Sequence, residues 1–191
     1  MRALLACLLA LLAFAGTPAR AAFPARPDGP VLDQAGVIPE AEEAALDAKL
    51  RAYNQQTGRA LVVATVASLD GETIEMYSVR MFEAWGIGGA DSDQGLLLLV
   101  APTERKVRIE VGYGLHQYVT DALSGRIIRG DISPRFKAGD IAGGINAGID
   151  TLIVQLARTP ADAKAVAEAA AAAERAGNRN GEASIGGIAF W

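Results

Sequence analysis

Two continuous apolar stretches sit in the middle of this chain, Ala60–Ala67 (ALVVATVA) and Leu96–Val100 (LLLLV). Neither alternates apolar with polar residues, so each predicts a strand covered on both faces. Between them, Ile74, Tyr77, Met81 and Trp85 recur at helical spacing within Glu72–Trp85. Asp70-Gly71 supplies the turn before that helix, and Gly86-Ile87-Gly88-Gly89 ends it. Strand, helix and strand in succession predict two parallel strands joined by a right-handed crossover.

After the second strand, Pro102–Arg105 reads as a tight turn, and Val107, Ile109 and Val111 then alternate with Arg108 and Glu110. That is a strand with one apolar face, returning antiparallel to its predecessor. The sheet is therefore expected to be mixed. Upstream, Val31–Ile38 is a short apolar-flanked segment, and Pro39 suits the first turn of a helix carrying Leu46, Leu50 and Tyr53 and stopped at Gly58. Downstream, helices are expected over about Thr120–Arg129 and Asp140–Ala157. The fold class is α/β, with no internal repeat.

The start of the chain has the order that export requires. Met1-Arg2 is positive, Ala3–Gly16 is apolar and uncharged, and Ala19-Arg20-Ala21 is an A-x-A cleavage signal. The apolar run falls short of the ~20 residues needed to span a bilayer. Residues 1–21 are thus expected to be a signal peptide and 22–30, with three prolines, an extended leader. The one cysteine, Cys7, falls in the signal, so disulfides, thiolate metal sites and cysteine nucleophiles are excluded from the mature chain. Cleavage also removes Arg2 and Arg20, which makes the −4 balance more acidic by two charges. Such a balance disfavours nucleic acid and anionic lipid and suits cations. At the other end, Ala161–Ala176 has high helix propensity but small side chains, and Gly177–Gly187 reads as a flexible linker. Residues 161–191 are expected to lie apart from the fold as a tether, a C-terminal membrane attachment being one use for it.

Chemistry is limited by what the chain lacks. His116 is the only histidine, which rules out a His-rich zinc site, and no G-x-S-x-G elbow supports a Ser-His-Asp triad. Gly112-Tyr113-Gly114-Leu115-His116-Gln117 half resembles a dinucleotide fingerprint, but the third glycine is absent and the preceding strand belongs to a hairpin. A glycine-permitted turn is the alternative. Asp91-Ser92-Asp93-Gln94-Gly95 looks like part of a calcium loop without being an EF-hand. With the hairpin turn between Thr103 and Glu104, Asp93 is expected opposite Gly114, and Leu97 opposite Glu110. The acidic loop and the VGYGL turn then meet at one end of the sheet, where Asp121 could start a helix. Several oxygen ligands there suit a hard cation. Asp70 should lie at the opposite end.

Five segments, in order, resemble the TPM-domain family: Val31–Gly36 (VLDQAG), Trp85–Gly88 (WGIG), Asp93–Ala101 (DQGLLLLVA), Arg105–Leu115 (RKVRIEVGYGL) and Thr120–Ala122 (TDA). The resemblance runs from about residue 31 to 157, with 158–191 as the alanine-rich helix and tail. It implies a Rossmann-like α/β/α sandwich with a small mixed sheet, on the non-cytoplasmic side of a membrane: the periplasm or the extracellular side. Members include thylakoid-lumen factors for photosystem II repair, an auxiliary protein of acetylcholine receptors and bacterial exported proteins. Divalent-cation binding, chiefly calcium, and acid phosphatase activity are associated with some. Carried over residue by residue, the family's acidic positions fall on Asp33, Asp93, Glu110 and Asp121, which are the expected metal ligands. The chain departs from the pattern at Gln94, where asparagine is usual, and at His116-Gln117, where Glu-Gly is common. Asp33 joins the others only if residues 33–38 run back along the sheet, a reach of up to ~20 Å. Two functions follow as expectations: a divalent-cation-binding module that serves a membrane or envelope protein complex, or a metal-dependent acid phosphatase.

Overall fold

The computed structural model describes residues 23–89 and 92–179. The expected signal peptide, Asp91 and the tail beyond residue 179 lie outside the described residues. The elements run β1 (Val31–Asp33), α1 (Glu40–Thr57), β2 (Ala60–Thr65), α2 (Ile74–Trp85), β3 (Gly95–Ala101) and β4 (Lys106–Val111). A 3₁₀ turn over Tyr113–Leu115 leads to α3 (Asp121–Ile127), which passes through a wide π turn (Ile128–Ile132) into α4 (Ser133–Lys137). Two longer helices, α5 (Ile141–Leu156) and α6 (Pro160–Arg179), complete the described residues.

The sheet has the order β1-β2-β3-β4. β1, β2 and β3 are parallel, and β4 is antiparallel to β3 with Leu97 opposite Glu110. The mixed sheet and its hairpin register agree with the sequence. β1 adds a strand that its three residues were too few to announce by periodicity.

Alternation along the sheet divides the core between two faces. Leu96, Leu98, Val100, Val107 and Ile109 face α1 and the helices after β4, whereas Leu97, Leu99 and Ala101 face α2. The result is an α/β/α sandwich in which, among the described residues, α2 is the one helix on its side. The leader is pinned across α2: Phe23 meets Tyr77 edge to face at 5.0 Å, and Trp85 Nε1 donates to the Pro24 carbonyl at 3.1 Å.

One expectation needs correction. The alanine-rich segment, in its described part, is a packed element rather than a separate tether. Ala163, Ala167 and Ala170 of α6 are 0%, 4% and 3% exposed. Gln155 of α5 donates from Nε2 to the carbonyls of Tyr118 and Ala163 at 2.7 and 3.2 Å, joining α5, the 3₁₀ region and α6. Small side chains bury little area each, but they let helix backbones approach closely, and a stripe of three seats the helix.

Candidate functional site

The acidic residues singled out in the sequence divide between the two ends of the sheet. At the amino end of β2 and β3, Asp93 takes a left-handed backbone angle, φ +46°. Its Oδ2 accepts from Tyr113 N–H at 2.6 Å and its carbonyl accepts from Gly114 N–H at 3.1 Å. A Cβ on Gly112 would fall 2.4 Å from the Asp93 carbonyl, and one on Gly114 would fall 2.2 Å from that of Ser92. The two glycines are therefore required by the close approach of the acidic loop. The geometry answers the nucleotide reading: this is a glycine-permitted turn, stapled by a carboxylate that is already engaged. Tyr113 stands 82% exposed on the turn, its ring 5.6 Å from that of His116, whose Nε2 hydrogen-bonds the Val111 carbonyl at 3.0 Å.

Glu110 faces α2 instead. Its Oε2 accepts from Ser78 Oγ at 3.0 Å and Arg108 Nε at 3.3 Å. Asp121 is the exposed first residue of α3, favourable to the helix dipole there, while Thr120 caps the helix by accepting from Leu123 N–H.

Asp33 lies at the other end. β1 runs parallel to β2 with Asp33 opposite Thr65, so the chain leaves β1 at the carboxyl end of the strands. Its Oδ1 and Oδ2 accept from Val37 and Ile38 N–H at 3.2 and 2.8 Å, and Thr65 Oγ1 also donates to Oδ1. The carboxylate fixes the loop into α1. A single metal site made of Asp33, Asp93, Glu110 and Asp121 is thus not what the fold assembles. Among the described residues, no three carboxylate, histidine or cysteine side chains group closely enough to hold a metal ion.

The carboxyl end of the strands, where open α/β sheets tend to take ligands, holds a second acidic group. Asp70 occupies a left-handed turn (φ +50°) after β2, and Glu104 sits in the β3–β4 hairpin turn. Glu104 Oε1 accepts from Leu69 N–H at 2.8 Å and Ser68 Oγ at 3.2 Å. Glu72 pairs through Oε1 with Arg80. The second oxygen of each, Glu72 Oε2 and Glu104 Oε2, is buried without a hydrogen-bond partner among the described residues. Tyr77, 2% exposed, reports the local field. Burial first, then the charges of Asp70 and Glu72, hold its hydroxyl above the usual 10.0, against the opposing pull of Arg80, with Glu104 adding to the rise. Sequence reasoning put Asp70 at this end but missed Glu72 and Glu104. Their signal was available in the hairpin register, which brings the turn at residues 102–105 beside the loop that follows β2.

The model of the TPM domain matches residues 31–155. The solution structure of the N-terminal domain of a P. gingivalis protein superposes with a TM-score of 0.63 at 32% identity, covering 66% of this chain and 81% of that one. The N-terminal domain of a Corynebacterium glutamicum protein gives 0.54 at 19% identity, covering 75% and 91%. A protein of the psychrophilic bacterium Bizionia argentinensis gives 0.55 at 20% identity, covering 63% and 81%. The latter two share the fold. No curated protein matches the chain. The chain belongs to the TPM-domain family.

Proposed function

We propose that this chain is an exported, divalent-cation-binding interaction module, acting in the periplasm or on the extracellular side of a membrane in the assembly or maintenance of an envelope protein complex. The observation that carries the cation reading is that Glu72 and Glu104 each bury a carboxylate oxygen without a partner, and that both act with Asp70 on the Tyr77 hydroxyl. A buried carboxylate oxygen without a partner is costly. A hard cation such as Ca²⁺ relieves that cost, and it would bind by drawing the loop after β2 and the β3–β4 turn together around Asp70, Glu72 and Glu104. The site supported is thus at the carboxyl end of the strands. Asp33 lies at that end as a loop-fixing residue, while Asp93, Glu110 and Asp121 have other roles. Phosphate-ester hydrolysis ranks second, because this acidic end repels a phosphate dianion and Arg80 there is paired with Glu72.

The test is a Ca²⁺ titration of the full chain, following melting temperature and amide shifts. Ligand at 100 times its Kd should add about 2.7 kcal/mol of stability, a rise of several degrees. Glu104→Gln keeps the Oε1 contacts to Ser68 and Leu69 and should weaken the response about tenfold. A folded protein that gives no response at millimolar Ca²⁺ sinks the cation reading.

A further inference from the structure

A cavity of about 390 Å³ lies where α3, α5 and α6 meet. Arg126, from the last turn of α3, and Arg158, just after α5, both line it, and neither guanidinium has a partner among the described residues. Six other cations, Lys49, Arg51, Arg80, Arg108, Arg135 and Lys164, each pair with a carboxylate. The wall between the two arginines combines Thr151 with Val154, which is 59% exposed, and Val166 of α6. Asp131 lines the same cavity without pairing to either arginine.

We propose that this pocket, Arg126 and Arg158 flanking the exposed Val154, is a docking site for an acidic peptide segment that carries carboxylates next to an apolar side chain. The inference rests on the reading of the chain as an interaction module and names the kind of partner it takes. Each guanidinium presents a planar fork of donors matched to one carboxylate. Val154 and Val166 give an apolar side chain a surface that an inorganic anion would leave wet. Asp131 repels a phosphate dianion more than a singly charged carboxylate. The pocket lies on helices after β4, so it is separate from Glu72 and Glu104.

The measurement is a titration of the full chain with the capped peptide acetyl-Glu-Leu-Glu-Leu-amide, followed by the backbone amide resonances of Gly130, Thr151, Val154 and Arg158. Saturable shifts are expected. The glutamine counterpart, acetyl-Gln-Leu-Gln-Leu-amide, should bind at least about tenfold more weakly, as one lost charge-assisted hydrogen bond implies. The double variant Arg126→Gln/Arg158→Gln should lose the acidic peptide by a similar factor, with its melting temperature and Ca²⁺ response unchanged. Equal binding of both peptides, unchanged affinity in the double variant, or no shift at millimolar peptide overturns the proposal. Inorganic phosphate saturating the same amides more tightly than the acidic peptide overturns it as well. The Ca²⁺ titration reads the other end of the molecule, so failure of one site is distinguishable from failure of the other.

Discussion

Tyr77 sits 2% exposed on α2, and its hydroxyl is held above the usual 10.0 by burial and then by Asp70 and Glu72, with Arg80 opposing. A raised folded-state value means that folded and unfolded chains bind this proton equally below pH about 10. Above that, the unfolded chain releases it first, so stability falls until the folded value is passed. Tyr77→Phe should remove this loss. The expected result is a melting temperature that declines less between about pH 9.5 and 11 than that of the unaltered protein, measured by thermal unfolding across that range. An identical alkaline decline in both proteins counts against the placement of these carboxylates around the ring. Asp93 illustrates the same scale differently: its residue type suggested a metal ligand, whereas its partners make it a staple for the Tyr113 turn.

Helix α6 shows how an element can be misjudged by its composition. Alanine gave high propensity and little apolar area, which argued for a tether. In the fold, Ala163, Ala167 and Ala170 meet the core, Val166 packs beside them, and Gln155 donates to the Ala163 carbonyl. Removing residues 160–191 uncovers that surface and leaves the Gln155 amide short of one acceptor. The expected cost is on the order of 3 kcal/mol, enough to lower the melting temperature by several degrees. Urea denaturation of the truncated and full chains, run in parallel, measures it. A truncated chain with the same midpoint restores the tether reading. Ala167→Glu, which forces a charge into the same contact, should act in the same direction.

Across the whole molecule, the sheet separates two acidic ends. Asp93 and the Tyr113 turn lie where β2 and β3 begin; Asp33, Asp70 and Glu104 lie where the parallel strands finish. Substituting Asp93 should therefore affect stability without touching cation binding. Asp93→Ala is expected to cost about 1.5–3 kcal/mol, since Tyr113 N–H loses a charge-assisted acceptor. The Ca²⁺ dependence of its melting temperature should match that of the unaltered chain. A loss of Ca²⁺ response in this variant would move the cation site to the amino end of the strands. The cavity between Arg126 and Arg158 occupies a third region, on the helical layer packed against the opposite face of the sheet from α2. Under the proposed function, this layout would keep the surfaces for a cation and for a polypeptide apart.

The sequence by itself determined the elements and most of their order. Two uninterrupted apolar runs with an amphipathic helix between them allow little except a parallel pair, and a four-residue turn into an alternating strand fixes the hairpin and its register. That register placed Leu97 opposite Glu110 and Asp93 against Gly114. Tertiary structure alone decided what the carboxylates do. An aspartate reads the same in sequence whether it binds a cation or three nearby hydrogen-bond donors, and Asp33 proved to have the donors. It also decided that three alanines seat α6, because close helix approach depends on the shape of the facing surface. Periodicity reports which side of an element is apolar. It does not report which distant loops that element brings together, and the grouping of Glu72 and Glu104 around Tyr77 depends on just that.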